Sequence, residues 1–347
     1  MKSFEHGCIE KIPISHNLLS AARALGEYKG REGLFKRQSP QVLKTLLEIA
    51  LIQSAESSNR IEGVTAPHKR IVELLTKKTS PRNRSEQEIT GYRNVLNTIH
   101  SNHQHIPFNT NVVLQFHRDL YAFSEGEGGR WKSADNEITE TRANGEKMVR
   151  FKPASAAVTP QYMVQLHESF TRMWNADETE KLILIPVYVL DFLCIHPFRD
   201  GNGRMSRLLT LLLLYHAGYE VGRFISLEKI IEDSKETYYE ALLLSSKEWH
   251  RGKHDLLPWV EYFLGTLIAA YKEFERRAGT VDTTKGAKTG TVLNAVQSFM
   301  GDFAVSDIQE ACPAVGIDLI RRVLRQQRNA GAVECLGRGP DSRWRRI

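Results

Sequence analysis

The sequence predicts a mainly α protein with one β-hairpin in its central part and a small mixed domain at its C-terminus. Apolar residues recur at helical spacing through most of residues 85–277. The helical pattern is interrupted once, between residues 124 and 160, where Asn144-Gly145 separates two short strand-like runs, as in a hairpin turn. A Gly- and Thr-rich stretch near residue 280 then precedes a final segment of short helices and two strands.

The composition indicates a globular protein of two or three domains. The chain has 347 residues, of which 41% are hydrophobic and 25% are charged. Its longest apolar run, residues 182–195, contains Pro186 and Asp191 and is shorter than the roughly 20 residues of a membrane-spanning helix. The start of the chain lacks the apolar stretch of a secretory signal, and the four cysteines are scattered. We therefore expect a cytoplasmic protein with reduced thiols and no membrane partner.

Four segments follow one another along the chain. Residues 1–84 form a helical region, in which Ser39-Pro40 is a typical helix start. Residues 85–277 form the core, 278–290 a linker and 291–347 the C-terminal domain. The candidate site motifs lie in the first two of these segments.

The C-terminal domain has the element order of a winged helix-turn-helix. Three short helices are predicted at residues 291–300, 306–312 and 318–330. Two strands are predicted at 332–336 and 342–346, and a Gly- and Pro-containing turn separates them. The order helix, helix, helix, hairpin is that of the winged-helix modules.

The positive charge of the protein is concentrated in its C-terminal tail, from residue 313 onward. The whole chain carries a formal net charge of +6, and the residues from 313 onward contain eight arginines against three acidic residues. Four of these arginines lie on the predicted third helix: Arg321, Arg322, Arg325 and Arg328. The pattern leaves two alternatives open, namely DNA bound through residues 291–347, or a module for protein contact whose arginines are solvated.

The segment from His196 to Arg207, which reads His-Pro-Phe-Arg-Asp-Gly-Asn-Gly-Arg-Met-Ser-Arg, indicates a phosphate site. It joins two apolar helical runs, so it ends one buried helix and begins the next. A helix N-terminus presents unpaired N–H groups to an anion, and Gly201 and Gly203 allow the backbone to come close to it. Arg204 and Arg207 are three residues apart on one helix face and are expected to reach the same anion.

Two side chains of this segment are candidates for chemistry. His196 has an ordinary pKa near neutrality and is able to take a proton from a hydroxyl group, although a histidine at a helix end is more often a capping residue. Asp200 is either a cap of the second helix or, beside a triphosphate, a ligand of Mg²⁺. Phe198 is expected to serve packing alone.

The same segment resembles, at every fixed position, the signature of the Fic family, His-Pro-Phe-x-Asp/Glu-Gly-Asn-Gly-Arg-x-x-Arg. Most members of that family transfer AMP from ATP to a hydroxyl side chain of a target protein. The resemblance implies a Fic-type helical core with one β-hairpin flap, with His196 as the base that deprotonates the target hydroxyl and Asp200 as the Mg²⁺ ligand. It assigns the phosphates of ATP to one continuous loop: Gly201, Asn202, Gly203, Arg204, Met205, Ser206 and Arg207.

A second feature lies far upstream and resembles the inhibitory motif Ser/Thr-x-x-x-Glu-Gly/Asn of Fic proteins that carry their own inhibitor. Ser58 and Glu62 are spaced to share a helix face, and Gly63 is suited to end that helix. A Glu62 carboxylate placed against Arg207 would occupy the position of the γ-phosphate, so that ATP binds unproductively or is excluded. The alternative is a helix-ending glutamate without a role.

Three further expectations concern the rest of the core. The hairpin around Asn144-Gly145 has the position of the family's flap, which docks the target segment by strand addition. Asp233, which follows an Ile-Ile pair, is a candidate contact for the nucleotide. We expect a solvated turn, rather than a metal site, at three histidines without zinc-ligand spacing: His100, His103 and His105.

The leading hypothesis is a protein adenylyltransferase that uses ATP and Mg²⁺, modifies a Ser, Thr or Tyr hydroxyl of a protein and is autoinhibited by Glu62. The first alternative is a DNA-binding regulator whose Fic core senses nucleotide. The second is the reverse reaction, the removal of AMP, in which Glu62 positions water. The sequence leaves open whether the target is the chain itself and whether the chain forms a homodimer.

Overall fold

A computed structural model of the chain describes residues 1–5, 7–38, 40–76, 79–124, 128–141, 147–278, 287–299, 301–312, 315–337, 339 and 342–347. The described residues are mainly helical, as the sequence predicts, with a few short strands. They form two compact units. The first comprises residues 1–26, 51–220 and 226–268, and the second comprises 27–50, 221–225 and 269–347.

The first seven α-helices are α1 (His16–Gln38), α2 (Pro40–Ile61), α3 (His68–Thr76), α4 (Arg84–Asn102), α5 (Thr110–Leu120), α6 (Thr159–Ala176) and α7 (Lys181–Ile195). The next seven are α8 (Asn202–His216), α9 (Leu227–Asp233), α10 (Lys235–Ser246), α11 (Leu257–Ala278), α12 (Ala287–Ser298), α13 (Val305–Ala311) and α14 (Ile317–Asn329). The strands are β1 (Ile138–Thr141), β2 (Lys147–Phe151), β3 (Phe303–Ala304), β4 (Val333–Cys335) and β5 (Arg343–Arg346).

The centre of the first unit is the pair of helices α7 and α8. Nearly every residue of α7 is buried, which agrees with the apolar run in the sequence, because a helix that is apolar on all sides must be covered on all sides. It packs against α6 and α8, and α8 packs in turn against α4 and α5. The polar segment that connects α7 to α8 is therefore held between elements of the core.

The crossing of α4 and α5 depends on one glycine. A Cβ atom added at Gly91, in the middle of α4, would overlap the backbone carbonyl of Leu120 at the end of α5. Both helices begin with an asparagine cap: Asn83 accepts the N–H of Glu86 at 3.0 Å, and Asn109 accepts that of Val112 at 3.0 Å. The caps fix where the helices begin, and Gly91 allows them to approach.

The predicted β-hairpin is confirmed. Strands β1 and β2 pair in antiparallel fashion with Thr139 opposite Val149, and the predicted turn at Asn144-Gly145 lies outside the described residues. The Arg150 guanidinium of β2 donates to the backbone carbonyl of Tyr239 and lies 5.3 Å from the centre of its ring. This contact ties the hairpin to α10.

The C-terminal segment contains the three helices and the two final strands that the sequence predicts, with boundaries shifted by up to four residues. One strand was not predicted: β3 pairs with β5, which gives a three-stranded sheet in the order β3-β5-β4. Ile320, Val323 and Leu324 form the buried face of α14, as expected. They pack into a core that includes Trp344 on β5.

The expectation of a solvated turn at the three histidines was wrong for two of them. Because α4 continues to Asn102, His100 falls on its inner face, and both His100 and His103 are buried with their rings 5.8 and 5.3 Å from the ring of Tyr215. Within the described ranges, no group of His, Cys, Asp and Glu side chains is arranged to hold a metal ion. None of the described helices combines the length and the hydropathy that crossing a membrane requires.

Replacement of Gly91 by alanine is expected to destabilise the first unit. Alanine normally favours a helix interior over glycine by up to about 1 kcal/mol, but the overlap with Leu120 should reverse the sign and lower the free energy of unfolding by about 1–3 kcal/mol. Urea denaturation of Gly91→Ala measures the effect. The matched control is Gly30→Ala on α1, where a Cβ meets no atom within 4 Å, and equal stability of the two variants would contradict the account.

Candidate active site

Residues 196–207, the signature segment, connect α7 to α8 as the sequence predicts. His196 follows the last residue of α7 with a backbone φ of +51°, and its N–H donates to the carbonyl of Phe192 at 2.9 Å. Gly201 precedes α8 with a φ of +81°, a conformation that glycine adopts without strain. Two left-handed residues therefore turn the chain between α7 and α8.

The hydrogen bond of His196 determines its tautomer. Its Nδ1 lies 3.3 Å from the carbonyl oxygen of Leu193, and because a carbonyl only accepts, Nδ1 carries the proton. Nε2 is left with a lone pair. Burial lowers the pKa of His196 to about 4, and the positive charge of Lys132 acts in the same direction. The ring is neutral at pH 7 and is able to accept a proton.

Lys132 braces the chain on both sides of His196. Its Nζ donates to the carbonyls of Ala154 at 2.6 Å and Ile195 at 3.0 Å, and its backbone N–H donates to the carbonyl of Pro197 at 2.8 Å. Burial lowers the pKa of Lys132 to about 8. A lysine that saturates the last carbonyl of α7 fixes the direction in which the next side chain leaves the helix.

His117, on α5, supports the next part of the segment. Its ring stacks on Phe198 with centroids 3.6 Å apart and planes 5° from parallel, so Phe198 serves packing as expected. Nδ1 of His117 accepts the N–H of Gly129 at 2.9 Å, and Nε2 donates to the carbonyl of Asp200 at 3.1 Å. Burial lowers the pKa of His117 to about 4, which keeps the ring neutral.

The side chains at the start of α8 mostly stabilise the segment itself. Asn202 is buried, accepts the N–H of Phe198 at 2.9 Å and donates to its carbonyl at 2.8 Å. Met205 is buried, and Ser206 donates to the carbonyl of Gly203 at 2.7 Å. The first turn of α8 therefore offers its backbone N–H groups to an anion.

The two arginines have different surroundings, although the sequence suggested that they share an anion. Arg204 is only 1% exposed and is held in a buried network with Glu88 and Asn59, to which it donates, and with the hydroxyl of Tyr121 at 2.8 Å. Its guanidinium lies 3.6 Å from Asp200. Arg204 therefore ties the signature segment to α2 and α4.

Arg207 faces the position of the predicted inhibitory motif. Its Nε donates to the hydroxyl of Ser58 at 2.8 Å, and its Nη2 donates to the carbonyl of Ser58 and the carboxylate of Glu62, both at 2.8 Å. Burial would lower the pKa of Arg207, but the charge of Glu62 raises it. Arg207 and Glu62, which the sequence analysis expects to pair, are therefore in contact although 145 positions separate them in the chain.

One donor of Arg207 remains available. Its Nη1 is buried, and no acceptor lies within hydrogen-bond distance of it in the described part of the chain. A Cβ atom added at Gly203 would lie 3.3 Å from this Nη1 and would overlap the carboxylate of Glu62. Arg207, Glu62 and the glycine backbone therefore border the same small space.

Helix α2 carries the inhibitory residues to this place. It ends at Ile61, so Glu62 lies in the turn that follows, and Gly63 has a φ of +79°. The Glu62 side chain is 30% exposed. Two serine hydroxyl groups join α2 to α9: Ser54 donates to Glu228 at 2.6 Å, and Ser57 donates to Glu232 at 2.8 Å.

Asp200 is the carboxylate that is suited to a metal ion. Its side chain is 57% exposed, and one oxygen accepts the N–H of Gly201 at 2.6 Å. Burial alone would raise the pKa of Asp200, but the charge of Arg204 and the Gly201 N–H lower it. An ionised, accessible carboxylate beside a helix N-terminus fits Mg²⁺ that is shared with phosphate oxygens.

Asp233 is not joined to the signature segment by any contact among the described residues. It ends α9, is 63% exposed and pairs with Lys229. Its proposed contact with the nucleotide stays a prediction.

Part of the chain is similar to proteins of the Fic/DOC family. Residues 107–214 match the Fic/DOC family model. A Fido domain-containing protein of Dictyostelium discoideum is 36% identical over 62 residues, which are 18% of this chain and 39% of that protein. The comparisons support a Fic-family domain in this chain.

Solved structures show the same fold. A Fic family protein from Desulfovibrio desulfuricans has a TM-score of 0.62 at 21% identity, over 96% of this chain and 97% of its own. A Fic domain-containing signaling protein from Bacteroides thetaiotaomicron has a TM-score of 0.61 at 21% identity, over 75% and 100%. Fic-1 from C. elegans has a TM-score of 0.55 at 19% identity, over 74% and 72%. The first unit therefore contains the Fic-type helical arrangement.

The sequence did not predict several residues that organise this site. They are Asn59, Glu88, His117, Tyr121 and Lys132. One usable signal was a polar residue at an apolar position of a helix: His117 lies one turn after Val113 on the buried face of α5.

The buried His117 should make the protein less stable in mild acid. The pKa of His117 is about 4 in the folded protein, against the ordinary value of 6.5, so the unfolded chain binds more protons between those values. The contribution of neutral His117 to the stability of the protein is fully present well above pH 6.5 and is lost as the pH falls toward 4. For His117 alone, the loss between pH 7.5 and 5 is about 2 kcal/mol.

Urea denaturation of His117→Phe at both pH values tests this, since phenylalanine keeps the stacking but does not titrate. The loss of stability should shrink by about 2 kcal/mol relative to the parent, and His105→Phe, at an exposed position, should leave it unchanged. An undiminished loss in His117→Phe would contradict the assignment.

Proposed function

We propose that the protein is an adenylyltransferase that moves AMP from ATP to a hydroxyl side chain of a protein and is restrained by Glu62. Fic-family members transfer nucleotides or other phosphate-containing groups to proteins. The observation that carries the proposal is the space beside Gly203, which is bordered by the unpaired Nη1 of Arg207. A buried guanidinium donor without an acceptor, beside a helix N-terminus, is suited to a phosphate oxygen.

The chain's own residues supply a consistent set of roles. The N–H groups at the start of α8 would hold the α-phosphate, and Arg207 would bind the terminal phosphate. Asp200 would hold Mg²⁺, which neutralises charge on the phosphate oxygens when it is bound. The Arg204 network would keep the segment in place without contacting the substrate.

His196 provides the proton acceptor of the transfer. Its Nε2 takes the proton of the target hydroxyl, whose oxygen then forms a bond to the α-phosphorus. The bond between the α-phosphorus and the bridging oxygen breaks, and pyrophosphate leaves with that electron pair. His196 ends protonated and returns its proton to solvent. The low pKa of His196 keeps it in the accepting form over the whole neutral range.

Glu62 would compete with the nucleotide for Arg207. A carboxylate and a phosphate both bind a guanidinium through two oxygens, so one cation cannot serve both fully. While Glu62 is bound, the terminal phosphate has only the Nη1 of Arg207 as a donor and meets the negative charge of the carboxylate beside it. ATP then binds in an unproductive arrangement or is excluded.

Removal of the Glu62 side chain should therefore release the activity. After incubation with ATP and Mg²⁺, intact-mass analysis of Glu62→Gly should show covalent AMP on the protein, and the parent should show little. The rate should rise at least about tenfold, which corresponds to about 1.4 kcal/mol. Glu62→Gly/His196→Ala should show none, and Glu178→Gly, a change at an exposed loop position, should behave like the parent.

Two results would contradict this proposal. Equal labelling of Glu62→Gly and Glu62→Gly/His196→Ala would remove His196 from the reaction. Release of AMP from a labelled protein by the parent, with loss of that release in Glu62→Gly, would favour AMP removal with Glu62 as the residue that positions water.

A second candidate function rests on the exposed arginines of α14. We propose that residues 291–347 form a winged helix that binds duplex DNA. Arg321, Arg322, Arg325 and Arg328 are all exposed, opposite a buried face of apolar residues. Such a helix is able to contact phosphates in a major groove.

Loss of two of these arginines should weaken DNA binding. In a fluorescence anisotropy titration with a labelled duplex, Arg321→Ala/Arg325→Ala should raise Kd and reduce the slope of log Kd against log salt by about two. The control is Arg276→Ala on α11, where the guanidinium is paired with Glu273. Salt-independent binding, or an unchanged slope in the double variant, would favour a protein-contact role.

A further inference from the structure

A second concave surface adjoins Asp200, and the proposed transfer does not use most of it. This acceptor-side cleft has a volume of about 920 Å³. It is lined by residues 130–136, by His117 and Tyr121 from α5, by Arg84 at the start of α4, and by Arg199 and Asp200 of the signature segment.

The cleft carries an excess of positive charge. Arg84, Arg130 and Arg199 line it against two carboxylates, those of Asp135 and Asp200. Arg84 is already engaged, because its Nε donates to Glu88 at 2.7 Å. Arg130 and Arg199 are exposed, and neither forms an ion pair with another described residue. Two guanidiniums that line one cleft without an ion pair to the described residues are suited to carboxylates, and each is able to bind a carboxylate in bidentate geometry.

The position of the cleft favours contact with the target protein that receives AMP. Its wall at residues 130–136 leads directly into β1 of the hairpin, which begins at Ile138. Lys132 and Asn136, which line the cleft, donate to the carbonyls of Ile195 and Phe198, on either side of His196. A polypeptide that pairs with β1 and presents a hydroxyl to His196 is therefore bordered by this cleft.

We propose that the acceptor-side cleft binds acidic residues that flank the acceptor hydroxyl of the target protein, through Arg130 and Arg199. The inference rests on the proposed transfer and adds a substrate class to it, namely hydroxyl residues in acidic segments. Trp131, half-buried with its ring 5.2 Å from that of Phe198, forms the apolar floor against which such a segment packs. Arg130 and Arg199 set specificity and take no part in the chemical step.

A binding experiment tests the cleft without turnover. The protein is His196→Ala, and the probes are two fluorescein-labelled nonapeptides with a central threonine, flanked by Asp and Glu in one and by Asn and Gln in the other. The acidic peptide should bind about tenfold more tightly, which corresponds to about 1.4 kcal/mol and is within what two exposed ion pairs contribute. The preference should weaken as salt is raised.

Charge reversal in the cleft should remove this preference. Arg130→Glu/Arg199→Glu should bind the neutral peptide better than the acidic one, whereas Arg172→Glu, at an exposed position on α6 outside the cleft, should keep the parent's preference. Equal binding of both peptides by the parent, or a preference that survives the reversal, would overturn the inference. Competition of ATP for the acidic peptide, together with weaker ATP binding after the reversal, would assign the cleft to the nucleotide instead.

Transfer kinetics separate this inference from the proposed function. In the Glu62→Gly background, the acidic peptide should have a lower KM than the neutral one with a similar kcat, and the charge reversal should raise its KM about tenfold. AMP transfer at equal KM for both peptides would contradict the proposed acidic preference of the cleft but would not contradict the proposed transferase activity. No transfer to any acceptor would refute the transferase, and the peptide-binding result would still decide whether the cleft selects acidic segments.

Discussion

The structure of the site depends on the buried guanidinium of Arg207. A buried cation is stable only when acceptors surround it, and here the end of α2 and the turn after it supply them: the hydroxyl and carbonyl of Ser58 and the carboxylate of Glu62. The same side chain borders the space that a terminal phosphate would need. Loss of Glu62 leaves Arg207 with the two acceptors of Ser58, so the cation remains partly paired and ready for a phosphate. We infer that Arg207 pairs with Glu62 in the restrained state and with the terminal phosphate in the active state.

The second requirement is that contacts with the rest of the first unit hold the signature segment in place. Buried hydrogen bonds do so: His117 donates to the carbonyl of Asp200, Lys132 donates to the last carbonyl of α7, and Asn202 accepts the N–H of Phe198. These contacts leave the Nε2 of His196 and the first N–H groups of α8 for a substrate. A preorganised loop of this kind lowers the cost of ordering the site when the substrate arrives.

The sequence allowed prediction of the elements whose signals are local. These elements are the apolar run of α7, the hairpin with strands at 138–141 and 147–151, and the order of the C-terminal elements. The contact of Glu62 with Arg207 is not local, and it was expected from the resemblance to the inhibitory motif. The partners of Arg204 could not be predicted, because Asn59 and Glu88 are single polar residues brought together only by packing. His100 was misjudged for the same reason: the polar residues around it suggested a turn, whereas the helix that contains it turns that side chain inward.

The central claim is that Arg207 binds either Glu62 or the terminal phosphate of ATP. The most direct test is calorimetric titration of ATP and of ADP, with Mg²⁺, into His196→Ala and Glu62→Gly/His196→Ala, which cannot turn over. Removal of Glu62 should tighten the binding of ATP relative to ADP by about tenfold or more, because the γ-phosphate gains its partner and loses a repelling carboxylate. An unchanged ratio of the two affinities would show that Glu62 does not occupy the place of that phosphate.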